Sequence, residues 1–479
     1  MIDLALIAPG KDTTRDQGFS LQEPLNLGFL ASYLISKGFK VKIFDELAGQ
    51  DVEKEIDKWL PRYVGITAVT PLSTAAYRIA KICKDKGITT IMGGVHATIL
   101  PEEAIKHADI VIKGEGEYAL ADILSNGTKE GIIQGRYIKN LDEVPEIPRD
   151  LFQMEHYLKA RDRSDKSYLA DYVPVGTKVS CILTSRGCPW NCNFCHNSWR
   201  GLPFRFHSAE RVVDELEHLV KNYQIGAFFS LEDNFFCLRK RALEIFDLMK
   251  KRGVNLIWAA NARVDNLDEE LIVKAKEVGC KKITFGFESG SQKMLDVWNK
   301  RTTVEQMKRT IKLCYKVGII PSGSFIVGGP TETFDDVKKT KKLISETGLK
   351  KYGVSLATPF PGTQLWQWCE QKGRIPEKLN WDDFNYSEVP INASDFSVPE
   401  LNMLRSYLKQ PSLNAMILSA FKSPRQATRS IIRNPRKFLS ILKFKIRMLF
   451  NFVIIPKLRY NHFNEFSHKK FKIRSKSNL

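Results

Sequence analysis

The sequence predicts an α/β protein: an N-terminal doubly wound parallel sheet, then a partial (β/α)6 barrel, then a helical, basic C-terminal segment. Three observations predict it. Short apolar runs alternate with helical periods over residues 1–135 and again over 174–395, the pattern of parallel sheets covered by helices. Between them, residues 136–173 hold Pro145, Pro148 and several charges with little periodicity, and read as a linker or bridge. From 396 to 479 the alternation stops, and the chain becomes helical in pattern, basic and apolar.

In the first region, strands are read at residues 4–8, 41–44, 64–67, 89–92 and 110–112, with helices at 27–37, 52–60, 75–86 and 102–106. Ligands on doubly wound sheets bind beyond the carboxyl ends of the strands. Those ends carry Pro9-Gly10, Thr70-Pro71-Leu72-Ser73, Gly93-Gly94-Val95-His96 and Gly114-Glu115-Gly116-Glu117. Glycines there let bare backbone approach a flat or bulky ligand; they read equally as plain turns. In the second region, strands are read at 179–184, 227–231, 256–260, 282–287, 321–327 and 352–357. Helices are read at 209–222, 239–252, 268–278, 303–317 and 333–347. Six such units suit a partial barrel, whose chemistry gathers at the C-terminal strand ends.

A chain of 479 residues with 43% hydrophobic and 27% charged residues has the composition of folded domains, two or three of them. No run of about 18 uncharged apolar residues suggests a membrane span. The first nine residues read as a strand and not as a signal peptide, so the expected location is a reducing cytoplasm without structural disulfides. The charge is uneven: residues 401–479 hold 18 of the 73 Lys and Arg but one acidic residue, Glu465, and so carry most of the net +19.

Three of the nine cysteines fall within eight residues, in Cys188-Pro-Trp-Asn-Cys192-Asn-Phe-Cys195, directly after the strand at 179–184. Three thiolates on one loop suit three irons of a [4Fe–4S] cluster, leaving the fourth open. Zinc is the structural alternative, but zinc sites commonly use a second Cys pair, and no second Cys-x-x-Cys pair exists here. The other six cysteines are scattered and read as small buried hydrophobes.

The Cys-x-x-x-Cys-x-x-Cys loop after a first strand resembles the radical S-adenosylmethionine (SAM) superfamily, and further matches follow in order over about 200 residues. The resemblance implies that Cys188, Cys192 and Cys195 hold the cluster and that SAM chelates its open iron. One electron, from a flavodoxin or ferredoxin, would then cleave SAM to a 5′-deoxyadenosyl radical. It implies that Phe194 packs near the adenine. Within Phe228-Phe-Ser-Leu-Glu-Asp-Asn234, it assigns Glu232, Asp233 and Asn234 to SAM. Thr284-Phe-Gly-Phe-Glu-Ser-Gly290 contributes Glu288 and Ser289, Phe325-Ile-Val-Gly-Gly-Pro330 contributes Gly328, and Thr358-Pro-Phe-Pro-Gly-Thr363 contributes Pro359. Each stretch has a plainer reading: Asp233-Asn234 as a turn or cap, Gly328-Gly329-Pro330 as a turn, and Glu288 as a partner of Lys281 or Lys282.

The N-terminal region resembles the cobalamin-binding domain fused to one large radical SAM class. Pro24-Leu-Asn-Leu-Gly28, Val64-Gly-Ile-Thr-Ala-Val-Thr-Pro71, Gly93-Gly-Val-His96 and Val111-Ile-Lys-Gly-Glu-Gly-Glu117 carry the match. It implies corrin contacts from Thr70, Ser73, Gly93, Gly94, His96, Gly114, Glu115 and Gly116. The Asp-x-His-x-x-Gly motif is missing, since Pro9-Gly-Lys-Asp12 follows the first strand. That excludes a histidine ligand to cobalt from this loop; the resemblance implies cobalamin held base-off, and the departure also leaves open a domain that has lost cobalamin altogether. The related methylthio-transferring class needs three more N-terminal cysteines, and residues 1–170 hold only Cys83.

These resemblances imply a cobalamin-dependent radical SAM methyltransferase acting on an unactivated carbon of a small or lipid-like molecule. Ring closure or rearrangement without methyl transfer is the alternative within the class, and a non-catalytic iron–sulfur or corrinoid sensor is the alternative outside it. In the tail, a helix over 433–450 would gather Arg433, Arg436, Lys437, Lys443 and Arg447 opposite Leu439, Leu442, Ile446, Leu449 and Phe450. That face suits peripheral contact with anionic lipid at the inner membrane face. It also suits packing on the barrel and, less well, nucleic acid.

Overall fold

The structure, a computed structural model, describes residues 2–10, 22–158, 171–196, 201–385 and 388–410. The first six strands are β1 (Ile2–Ala8), β2 (Val41–Asp45), β3 (Pro61–Thr67), β4 (Thr89–Gly93), β5 (Ile110–Lys113) and β6 (Gly131–Gln134). They form one parallel sheet in the order β2-β1-β3-β4-β5-β6. Side chains alternate across the sheet. Leu4, Leu6 and Ala8 join the core under the helices Leu25–Ser36 and Glu117–Asn126. Ala5 and Ile7 join the core under Val52–Trp59 and Ser73–Asp85. With both faces covered, β1 reads as an almost unbroken apolar run.

The second region begins with β7 (Val179–Ile182) and a short antiparallel hairpin of β8 (Ser185–Arg186) and β9 (Arg205–Phe206). It continues with β10 (Ala227–Ser230), β11 (Ile257–Ala262), β12 (Cys280–Glu288), β13 (Ile320–Val327) and β14 (Lys351–Leu356). The sheet order β14-β13-β12-β11-β10-β7 follows the chain, and every neighbouring pair is parallel. Helices Ala209–Tyr223, Arg239–Arg252, Glu269–Glu277, Val304–Val317 and Phe334–Thr347 connect the strands. Their starts are written locally: Ser208 and Asp268 cap theirs, and Thr303–Gln306 and Thr333–Asp336 form capping boxes.

The sequence reading located eleven of these strands to within a few residues and missed β6 and the hairpin, as well as the helices Glu117–Asn126, Gln292–Val297 and Gln364–Gln371. Residues 136–158 lack periodicity yet are anchored by tertiary contacts. Ile138, Leu141, Val144, Ile147 and Phe152 are buried in the core shared with both sheets. Within this segment Arg149 is buried, with Nη2 2.5 Å from Glu215 Oε1 and 2.9 Å from the Cys181 carbonyl, and Nη1 3.6 Å from Glu23 Oε1. The helix Val398–Lys409 seals β13 and β14 with Leu401, Leu404 and Leu408. No helix among the described residues is long and apolar enough to cross a membrane. The amphipathic helix expected over 433–450 lies outside the described residues.

Candidate active site

The loop after β7 is fixed at both ends. Before it, Thr184 donates its backbone N–H and hydroxyl to the Glu232 carboxylate, at 2.8 and 2.7 Å. Within it, Asn193 donates its N–H to the Trp298 carbonyl at 3.0 Å and its side-chain amide to the Val297 carbonyl at 2.7 Å. Asn299 in turn donates its side-chain amide to the Asn191 carbonyl at 2.7 Å. Asn299 and Arg301 in this brace take left-handed backbone conformations, φ 49° and 56°, which non-glycine residues adopt only where surroundings impose them.

On this loop Cys192 is buried, and Cys188 and Cys195 are half-buried. Burial raises the Cys188 thiol and pushes Cys195 up to about 12, with Asp233 and the neighbouring cysteines adding to the effect. Such thiols are poor free nucleophiles near neutral pH; a metal would deprotonate them on binding. Among the described residues no three His, Cys, Asp or Glu side chains converge on one point for a single ion. Three thiolates that bind three separate irons need no such convergence. Two buried cations stand by: Arg263 Nη1 is 3.9 Å from Cys192 Sγ, and Lys300 lowers the Cys195 thiol through its charge. The donor set and its charge thus fit an anionic cluster.

The residues assigned to SAM are in different states. Glu232 is buried and engaged by Thr184. Asp233 is exposed toward the cavity, yet protein atoms around it raise its carboxyl above the usual range. Asn234 donates to Asn266 at 2.9 Å and leaves its buried Oδ1 without a hydrogen-bond partner, an acceptor that fits an ammonium group. Glu288, at φ 61°, pairs with buried Lys300 at 2.8 Å and with neither Lys281 nor Lys282. Ser289 faces Thr340 and holds the turn at Ser291. Gly328 gives its N–H to buried Glu332 at 2.6 Å. Phe194 stands edge-on to Trp298 with centroids 5.5 Å apart, and Pro359 is buried.

A cavity of about 320 Å³ opens between the two sheets at their C-terminal strand ends. On one side lie Thr67, Gly93, Gly94, Gly114, Glu115, Gly116 and Glu117; on the other lie Ser185, Arg186, Gly187, Glu232 and Asp233. Its inner part runs along the first sheet between Leu6, Ile91, Ile112, Leu30 and Leu120. The place is the one at which chain connections from adjacent β1 and β3 diverge. The shelf is backbone: at Gly94, φ 90°, a Cβ would meet the Ala68 carbonyl oxygen at 2.7 Å, so no side chain projects there. At Gly65 a Cβ would lie 2.9 Å from Leu6. Val69 and Val95 are each 37% exposed and line the mouth. A glycine shelf over an apolar slot fits a large flat ring with an aromatic appendage.

Three residues assigned to the corrin do not line this cavity. Ser73 donates to the Thr70 carbonyl at 3.0 Å, Thr70 Oγ1 is 3.3 Å from His96 Nδ1, and Tyr77 Oη is 2.8 Å from His96 Nε2. His96 is fully buried with both ring nitrogens engaged, and burial lowers its pKa to about 4. It lies in the interior between Thr70 and Tyr77 and is not part of the cavity wall. Glu115 lines the cavity but is committed to an ion network: Arg186 at 3.2 Å, Arg205 at 2.7 Å, and the Ile138 N–H at 2.6 Å. Arg186 also pairs with Glu117 at 2.6 Å, which ties the hairpin to the first sheet. The sequence reading missed Arg186, Arg205, Arg263 and Lys300, whose partners lie far along the chain. The paired Asn residues around the cysteines were the one local hint.

Two family models match the chain. The radical SAM superfamily model matches residues 182–344, and the B12-binding domain model matches residues 20–124. An uncharacterized methyltransferase of Pyrococcus horikoshii, PH0819, is 34% identical over 409 residues, covering 80% of this chain and 85% of its own. An anaerobic magnesium-protoporphyrin IX monomethyl ester cyclase of Rubrivivax gelatinosus is 28% identical over 407 residues, covering 78% and 70%. In fold, the chain is similar to the radical SAM methyltransferase TsrM from Kitasatospora setae with cobalamin and a [4Fe–4S] cluster bound. The TM-score is 0.62 at 19% identity, over 79% of this chain and 80% of that one. The chain therefore belongs to the radical SAM superfamily of enzymes, in the class with a B12-binding domain, whose cofactors are a [4Fe–4S] cluster, SAM and cobalamin.

Proposed function

We propose that this enzyme is a cobalamin-dependent methyltransferase acting on an unactivated carbon. One observation carries the reading: a single cavity has the glycine shelf on one wall and Gly187, Glu232 and Asp233, neighbours of the cysteine loop, on the other. In this reading residues 1–135 form the cobalamin-binding unit, 136–173 the linker, 174–395 the radical SAM core and 396–479 the basic extension. Cys188, Cys192 and Cys195 hold the cluster. Asn234 Oδ1 and Asp233 face the SAM ammonium, Phe194 borders the adenine, and Glu232, Glu288, Ser289, Gly328 and Pro359 shape the pocket. Gly93, Gly94, Gly114 and Gly116 seat the corrin. When bound, the cluster with SAM supplies a hydrogen-abstracting radical and cobalamin supplies the methyl group. The chain's part is to hold these centres over one cavity and keep water out.

The mostly apolar walls suit a substrate carbon without activating groups, in a small or lipid-like molecule. The electron donor is a flavodoxin- or ferredoxin-type protein, and the enzyme acts in the cytoplasm, with the basic extension at the inner membrane face. The test is turnover with SAM labelled on its methyl group, using extracts of cells lacking the gene as substrate source. A labelled product together with 5′-deoxyadenosine supports methyl transfer. 5′-Deoxyadenosine with an unlabelled product supports ring closure or rearrangement, the second reading, which the cyclase relative favours. Neither product, from protein with intact cofactors, points to a sensor.

A further inference from the structure

We propose that Arg263 is a positioning residue of the iron–sulfur centre that raises its reduction potential through the thiolate of Cys192. The inference rests on reading Cys188, Cys192 and Cys195 as the cluster ligands. Arg263 follows β11 and is 5% exposed. Every part of its guanidinium is held. Its Cζ lies over the Trp190 ring, 4.4 Å from the centroid. Nε and Nη2 donate to the two Asp265 oxygens at 3.0 Å each, and Nη2 also donates to the Lys300 carbonyl at 2.6 Å. That leaves Nη1 directed at Cys192 Sγ, 3.9 Å away. An aromatic face and a bidentate carboxylate fix a guanidinium in a way that a lysine ammonium cannot reproduce.

The electrostatic consequence follows from burial. Cys192 is the most buried of the three cysteines, so water does little to screen a charge beside its sulfur. A fixed cation and an N–H directed at a ligand sulfur stabilise the electron-richer state of a cluster, and hydrogen bonds to sulfur are among the determinants of cluster potential. In the step concerned, one electron passes from a low-potential donor to the cluster. No proton moves, and Arg263 keeps its charge throughout. Asp265 works against Arg263, because its carboxylate partly cancels the guanidinium. Removing each partner should therefore shift the potential in opposite directions, whereas a merely structural ion pair would weaken the site in both cases.

The test is an EPR-monitored redox titration with titanium(III) citrate on the anaerobically reconstituted full-length protein, with iron counted in parallel. Arg263→Gln is expected to move the midpoint to more negative potential. At the wild-type midpoint the reduced-to-oxidised ratio should fall about tenfold, which is 59 mV for a one-electron couple. Arg263→Lys should fall between the two, Asp265→Asn should move the midpoint the other way, and Arg239→Gln, on the surface with Asp268 and Glu270, should leave it alone. An unmoved midpoint in Arg263→Gln with full iron overturns the proposal. If Arg263→Gln does not keep its iron, Asp265→Asn decides: a positive shift supports the role, and no shift or a negative one overturns it. Wild-type protein that binds no iron would overturn the cluster reading itself, a result distinct from an unmoved midpoint.

Discussion

The two sheets use their strand-end loops in opposite ways. At the ends of β4 and β5, Gly93, Gly94, Gly114 and Gly116 present backbone to the cavity, and the polar residues nearby are turned away: Thr70, Ser73 and His96 bond to each other and to Tyr77. At the ends of β7 and β10, side chains occupy the equivalent place, with Arg186 and the carboxylates of Glu232 and Asp233 beside the loop that carries the three thiols. The first edge is built for a ligand that brings its own chemistry and needs a flat seat. The second is built for ligands that must be coordinated atom by atom. The order of the strands agrees: the first sheet reverses direction at β1 and β3 and opens a crevice, and the second runs in sequence.

The contrast can be broken at either edge. The largest effect is expected at the side-chain edge: replacing Cys188, Cys192 and Cys195 together by alanine should remove all of the roughly four irons of a [4Fe–4S] cluster, by iron analysis and visible absorption. Cys83→Ala and Cys369→Ala should keep the iron, as both are buried in other parts of the core. Next is the link between the edges. Arg186→Met would leave Glu117 buried without its partner and should destabilise the fold by about 3–5 kcal/mol, read from urea unfolding. An unchanged midpoint would mean the hairpin is held by other contacts.

At the backbone edge, Gly94→Ala forces a Cβ against the Ala68 carbonyl in a left-handed conformation. Strain of about 1–3 kcal/mol should weaken corrinoid uptake about tenfold while iron content stays at the wild-type level. Loss of iron as well would show that the two edges are not independent. The last prediction concerns His96. Its pKa is lowered from 6.5 to about 4 by burial, so the unfolded chain takes up the proton first as pH falls. The stability it supports is complete above about pH 6.5 and declines toward pH 4. Glu332, raised to about 7 by burial, acts in the opposite sense between pH 7 and 4.5, so the clean readout is a difference. The stability gap between wild type and His96→Gln should narrow by up to about 1.4 kcal/mol per pH unit over that window. A gap constant from pH 7 to 5 would count against a buried neutral histidine.

What the sequence made legible is what short-range chemistry writes. β1 and β5 are visible as apolar runs, the helix starts as Thr-x-x-Gln and Thr-x-x-Asp, and the cysteine loop as three thiols within eight residues. β6 was not, because Gly131–Gln134 is an edge strand whose residues alternate between half-buried and exposed, with no apolar run to mark it. The hairpin was not, since its strands are two residues each and depend on Arg186 and Arg205 meeting Glu115. His96 sits in the right motif, but its partners Tyr77 and Trp381 fill the space around it, and Trp381 is far away in sequence. Arg263 and Cys192 are 71 residues apart, and no local pattern joins them.

Arg149 bears on how such a protein can be assembled over evolutionary time. One buried guanidinium reaches Glu23 on the N-terminal side, Glu215 on a barrel helix and the Cys181 carbonyl within the first barrel strand. Cutting the chain between the two sheets would leave a charge on each side with no counterpart, at a cost several times that of a surface pair. The halves look like interchangeable parts in outline. At this point they are coupled through one buried charge, so a grafted partner domain would have to bring a matching carboxylate to the same place.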